Sequence, residues 1–202
     1  ATTRMRGVSD LLAVLYGPEA MVFAMLETPD QVQQTAERLT DLWLGWAQLQ
    51  TDRIPAFHGG IGSFYYSMWA PAGTVWHQED AAALLSPDLF AEFIAPCDQR
   101  IVDSLDGCIM HQHPVGYIPY REYLDMGFAA LELHVDEGGP SAEALCGIHQ
   151  EILGRSPLLI WGRLSDADLD WVFGELPPVG LAIQVEVDSP EQAEAIWQRH
   201  IG

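Results

Sequence analysis

Apolar and polar positions alternate along this chain in two rhythms, short apolar runs and longer stretches of helical spacing. Ala1–Gly7 is polar and is expected to be loose. Val8–Leu26 is apolar with a break at Gly17-Pro18, which predicts a short helix, a turn and a second short helix. Thr28-Pro29-Asp30-Gln31 then opens a longer helix: Thr28 can cap, Pro29 suits the first turn, and Gln31 stands where a capping box needs it. Val32, Ala36, Leu39, Trp43 and Trp46 follow as one apolar stripe. The same opening recurs at Ser86-Pro87-Asp88 and Ser189-Pro190-Glu191-Gln192, with weaker versions at Ser141-Ala142-Glu143 and Ser165-Asp166-Ala167-Asp168.

Between these helix starts lie the candidate strands Thr74–His77, Gly107–His111, Ala129–His134, Leu158–Trp161 and Leu181–Glu186. The stretch Ala56–Phe64 reads as a further strand or as a glycine-rich loop. Short apolar strands alternating with longer helices predict an α/β fold with a parallel sheet and crossover helices. Five or six such units follow one another without a polar linker, so residues 1–202 read as one domain. A closed eight-unit barrel takes ~250 residues. The expected architecture is therefore TIM-barrel-like but incomplete, lacking its first strands.

Composition narrows the function. The chain has 202 residues, 49% of them hydrophobic, which is too apolar for disorder. No run approaches the ~18 apolar residues of a membrane span, and no signal pattern is read at the N-terminus. A formal net charge of −20 argues against nucleic acid and anionic membrane surfaces as partners. All nine basic residues are arginine, which removes Schiff-base lysine and P-loop lysine chemistry from this chain. Cys97, Cys108 and Cys146 are odd in number and widely spaced, so a reducing, cytoplasmic setting is expected rather than a disulfide framework.

Polar residues collect at the C-terminal ends of the predicted strands, where parallel α/β folds place their sites. His111-Gln112-His113-Pro114 puts two imidazoles two residues apart, on one side of a strand, where both can reach one ion; loop histidines bonded to backbone are the alternative. Glu132 and His134 share a face in the same way. Such a pair suits acid/base work, or orientation of a metal ligand, or a solvated strand end beside Asp136-Glu137. Gln78, Glu79 and Asp80 end the strand at His77, and one of them is expected to face the interior. Gln184, Glu186 and Asp188 alternate; Glu186 is the better inward group. Arg163 is a candidate anion contact or an exposed ion pair. The seven tryptophans read as core packing, and Gly59-Gly60-Ile61-Gly62 is a weak phosphate signal.

The stretch Ser86-Pro87-Asp88-Leu89-Phe90-Ala91-Glu92-Phe93-Ile94-Ala95-Pro96, followed by Ile101-Val102-Asp103, resembles a characteristic helix of the uroporphyrinogen decarboxylase superfamily. That group includes corrinoid-linked, zinc-dependent methyltransferases and is related to cobalamin-independent methionine synthase. The likeness runs loosely from Gly17 to the C-terminus and is most specific over Gln78–Pro114. It implies a TIM barrel without the family's N-terminal part. It also implies a methyltransferase-type enzyme acting on a small molecule or a corrinoid-bound methyl group, with a corrinoid protein as possible partner. In the methyltransferase branch the matching strand ends in His-x-Cys-Gly and a later Cys joins the zinc. Here His111 matches, His113 stands for the Cys, Pro114 for the Gly, and Glu186 lies near the place of the late Cys. The implied metal ligands are thus His111 and His113, joined by Glu186 or alternatively by Glu132, holding zinc or another divalent transition metal. Read from the strand ends, Glu79, Asp80, Glu132 and His134 are the candidate catalytic groups, the set that a metal-independent decarboxylase would use, and Gln78, Arg163 and Gln184 are the candidate substrate contacts. Two other expectations stand beside this one: a metal-independent decarboxylase, and a non-catalytic or split-barrel subunit completed by a second copy or another chain.

Overall fold

The computed structural model describes residues 2–62 and 68–202. Six parallel strands form one sheet in the order β1 (Arg4–Arg6), β4 (Thr74–Gln78), β5 (Gly107–Gln112), β6 (Ala130–Val135), β7 (Leu158–Gly162) and β8 (Leu181–Val185). A separate antiparallel ribbon pairs β2 (Gly60–Gly62) with β3 (Trp69–Pro71). Helices α1 (Val8–Tyr16), α2 (Pro18–Glu27) and α3 (Pro29–Arg53) follow β1. A helical stretch follows β4: α4 (Pro87–Leu89), a π turn over Phe90–Ile94, and α5 (Ala95–Asp103). The remaining crossovers are α6 (Tyr120–Met126), α7 (Cys146–Leu153) and α8 (Asp166–Glu175), and α9 (Pro190–His200) ends the chain. From β4 onward the strands neighbour one another in chain order, the arrangement that repeated βα units produce. The two outermost strands, β1 and β8, are not paired with each other.

Five of the strands lie within a residue or so of their predicted positions, because each is a short apolar run, and all but Leu181–Val185 are largely buried on both faces. Two expectations fail and a third, the strand near Ala56–Phe64, holds only in part. Arg4–Arg6 is not loose; it pairs with β4 in the register Arg4↔Trp76, Met5↔His77, Arg6↔Gln78, and a three-residue strand leaves almost no periodicity to read. The stretch near Ala56–Phe64 supplies β2, outside the main sheet, and Ser63 and Phe64 lie outside the described residues. Thr28 makes no cap; its hydroxyl bonds back to the Ala24 carbonyl at 3.2 Å. The reciprocal capping box is instead at Ser165 with Asp168.

The sheet separates two apolar layers. On the helix side, Met5, Val75, Cys108, Met110, Leu131, Leu133, Leu158 and Ile160 pack beneath the crossover helices. On the inner face, Ala70 of β3 joins Trp76, Ile109, Leu159 and Trp161 in a second cluster. That cluster fills the sheet's inner face, leaving the polar groups at the C-terminal ends of the strands above it. Trp43, Trp76 and Trp161 are buried as expected, whereas Trp46, Trp69 and Trp197 are more than half exposed. The stripe of α3 therefore continues through Ala47 rather than Trp46. At the far edge β8 is only half-buried and α9 buries no residue; a cleft of about 490 Å³ between Leu176, Ile183, Ile196 and Trp197 separates them. The three cysteines are free. Among the described residues no single helix is long and apolar enough to cross a membrane; α1 and α2 reach that length only together, across a 98° bend.

Gly7 shows how tightly β1 joins this framework. Its N–H donates to the Gln78 carbonyl at 2.7 Å, and a Cβ there would strike the Glu79 carboxylate and the Gln78 carbonyl. Gly7→Ala is expected to cost about 1–3 kcal/mol as overpacking, read as a lowered urea midpoint with unchanged slope.

Candidate metal centre

The parallel register sets Gln78, His111 and Glu132 side by side on the inner face, because residues paired across parallel strands project the same way. His111 and Glu132 are fully buried. The Glu132 carboxylate contacts Nδ1 of His111. One residue pair further along, Asp136 accepts from Nδ1 of His113 at 2.8 and 2.9 Å. A carboxylate against Nδ1 assigns the proton to that nitrogen in each ring. Nε2 of each ring then faces inward, and the two Nε2 atoms lie 3.2 Å apart, within hydrogen-bond distance of each other. Oδ1 of Asp80 completes the group, 3.7 Å from Nε2 of His111 and 3.9 Å from Nε2 of His113. That oxygen is buried and has no hydrogen-bond partner.

Three possible ligand atoms thus converge in a largely buried place, an arrangement that a bound cation would stabilise. Ligands held at ~2.0–2.2 Å around a tetrahedral ion stand roughly 3.3–3.6 Å apart, close to the separations seen here. Two imidazoles and one carboxylate suit zinc and other late divalent transition metals, and each imidazole is oriented by a carboxylate on its other nitrogen. Burial, and then the charges of Arg4, His113 and His134, hold His111 far below the usual imidazole range, so its ring stays in the neutral form that binds metals. Burial and the Asp10 charge raise Asp80, while His113 and Arg4 pull it down. These residues could hold a metal ion, and His113, His134 and Asp136 form an adjoining group with the same property.

The placement of the sequence candidates is mixed. His111, His113 and Asp80 come together, and the carboxylate that joins the two imidazoles is Asp80 rather than Glu186. Glu186 is about half exposed and lies 4.0 Å from Arg163. Arg163 is an exposed ion pair, donating to Asp188 at 2.7 and 3.2 Å. Glu132 orients His111. His134 stands between Trp161 and His113, 3.6 Å from Asp136, with its ring lowered by burial and by the His113 charge. Gln184 pairs in register with Trp161. Gln78 is buried and spends its amide on Asp10 and Asp80.

Glu79 departs most from expectation. It is fully buried and turned to the N-terminus of α1, accepting from the backbone N–H of Val8 at 2.6 Å and of Ser9 at 2.8 Å, and from the Ser9 hydroxyl. There it faces His77, whose Nε2 lies 3.3 Å from Glu79 and 3.0 Å from Asp98. Although burial opposes the charge on His77, hydrogen bonds to Asp98 and Glu79 outweigh it and raise its pKa to about 10. This second cluster is a buried imidazole between two carboxylates, and its three residues form another group that could hold a metal ion; the raised His77 pKa favours a proton there over a cation. Reading the strand ends one at a time missed Asp136, although Glu132-x-His134-x-Asp136 carries the period-two signal. It also missed Asp10 and Asp98, which come from helices. The chain matches no family model and no curated protein.

Proposed function

We propose that the chain is a metal-dependent enzyme of TIM-barrel type that binds zinc or another divalent transition metal through His111, His113 and Asp80. The observation that carries this reading is the buried, unpartnered Oδ1 of Asp80 facing two imidazole Nε2 atoms. The resemblance to the uroporphyrinogen decarboxylase superfamily adds the reaction class: methyl transfer involving a small molecule or a corrinoid-bound methyl group. Six parallel strands flanked by helices are compatible with such a βα architecture. Bound there, the metal supplies Lewis acidity, lowering the pKa of a thiol or water. Glu132 and Asp136 keep the ligand rings in one tautomer, and Trp161 and Trp76 exclude water from below. His134, neutral and next to His113, is placed to carry a proton to or from a bound substrate.

The metal-independent decarboxylase reading is less favoured, since Glu79 is committed to α1 and Glu132 to His111. A split-barrel arrangement draws support from β1 and β8, which end the sheet without pairing with each other and which a partner strand could extend. Elemental analysis of the purified protein is expected to return about one equivalent of a divalent transition metal, reduced by His111→Ala. Less than about a tenth of an equivalent, unaffected by that substitution, overturns the proposal.

A further inference from the structure

Asp10, in the first turn of α1, reaches across to the segment that carries Asp80. Its Oδ2 accepts from Nε2 of Gln78 at 2.8 Å, and its Oδ1 from the Ala81 N–H at 2.8 Å. The same Gln78 nitrogen donates to Oδ2 of Asp80 at 2.7 Å. Both protons of one buried amide are therefore used on two carboxylates. We infer that Asp10 is a positioning residue for Asp80, and that docking of α1 and cation binding at the centre are coupled through it.

An ionised carboxylate only accepts, so Asp10 forces Gln78 to present its NH₂ rather than its carbonyl oxygen. That NH₂ then fixes Oδ2 of Asp80, which leaves Oδ1 turned to His111 and His113. Two carboxylates so close repel, and the shared amide is what lets both stay. A cation at Oδ1 relieves the repulsion further. Asp80 is also gripped on both sides by the start of α1. Gln78 accepts from Gly7, Glu79 accepts from Val8 and Ser9, and Ala81 donates to Asp10. Anything that seats α1 therefore seats Asp80. By linkage, a cation on Asp80 must in turn stabilise the seating of α1.

This inference depends on the metal reading above, and the test separates the two. Zinc affinity is measured by chelator competition for the wild type, Asp10→Asn, Asp10→Ala and Gln78→Leu, with folding checked by circular dichroism. Asp10→Asn keeps the size of the side chain. With its carbonyl on Ala81 N–H, its amide turns Gln78 over, bringing the Gln78 oxygen against Asp80. It is expected to raise the zinc dissociation constant about 10–100-fold, the usual effect of a group that orients a ligand, and to shift the visible absorption of the cobalt-loaded protein. Zinc is expected to slow amide exchange over residues 8–16 in the wild type and not in Asp10→Asn. If Asp10→Ala fails to fold, Asp10→Asn decides alone. Wild-type zinc affinity and cobalt spectra in a folded Asp10→Asn protein overturn this inference and leave the metal reading standing. A wild type that binds no zinc overturns both.

Discussion

Asp98→Ala is expected to destabilise the fold by about 3–5 kcal/mol, the usual effect of removing one partner from a buried ionic cluster. Asp98 is fully buried on α5 and holds Nε2 of His77 at 3.0 Å; Glu79 holds the same nitrogen from β4's end. Losing Asp98 leaves an imidazolium with half its compensation, in a pocket closed by Trp43 and Phe128. In a chain of this length the loss corresponds to a melting point lower by roughly 10 °C. A double change of His77 and Asp98 to leucine removes the charge along with its partner, so it should recover part of the deficit.

The same cluster dictates the sign of the pH dependence. The folded-state pKa of His77, about 10, lies above its ordinary value of 6.5. Its contribution is therefore complete below about pH 6.5 and is lost as pH rises toward 10. Burial and the Asp98 charge raise Glu79 to about 7 from 4.5, so its contribution also falls as pH rises, between about 4.5 and 7. Urea midpoints taken at about pH 6 and about pH 9.5 should show the wild type weakening with pH and Asp98→Ala weakening less. Equal midpoints for wild type and Asp98→Ala at the lower pH would refute the cluster's role.

His113→Ala should abolish tight metal binding while leaving the fold nearly intact. His113 is partly exposed and reaches the centre with Nε2 only, so truncation opens the site to water rather than leaving a void in the core. Structural zinc sites bind with roughly 10–16 kcal/mol spread over their ligands, so losing one of three is worth about 3 kcal/mol or more, on the order of a hundredfold or greater in affinity. Asp136 loses its imidazole partner but keeps access to solvent and to His134. Chelator competition reads the affinity, and thermal unfolding of metal-free protein reads the fold. Retained affinity in His113→Ala would move the ligand set elsewhere. A metal-free variant that melts far below the metal-free wild type would make His113 a structural residue instead.

The two clusters differ in how legible they were. His111 and His113 could be paired from the chain alone, because a strand's period of two is local and survives any packing. The same rule placed Glu132 beside His134. It gave no reason to choose Asp80 over Glu186 as the carboxylate partner, since both close a strand and both follow an apolar run. Glu79 and Asp80 are neighbours in sequence with the same chemistry, yet one caps α1 beneath the sheet and the other faces the inner site. That division arises from the turn after Gln78 and from the arrival of α1, which are long-range events.

What the chain settles by itself is what short-range periodicity can carry: five short apolar strands, the helices between them, and two imidazoles projecting together from one strand end. What packing alone settled is which strands stand side by side. The edge strand Arg4–Arg6 has too few residues to show a pattern, yet by pairing with β4 it brings Gly7, Ser9 and Asp10 against residues 78–81. Neighbour relations across a sheet are set by the burial of whole faces and by hydrogen bonding between distant segments. No local window of sequence contains either, and for that reason the carboxylate at the centre could be named only from the fold.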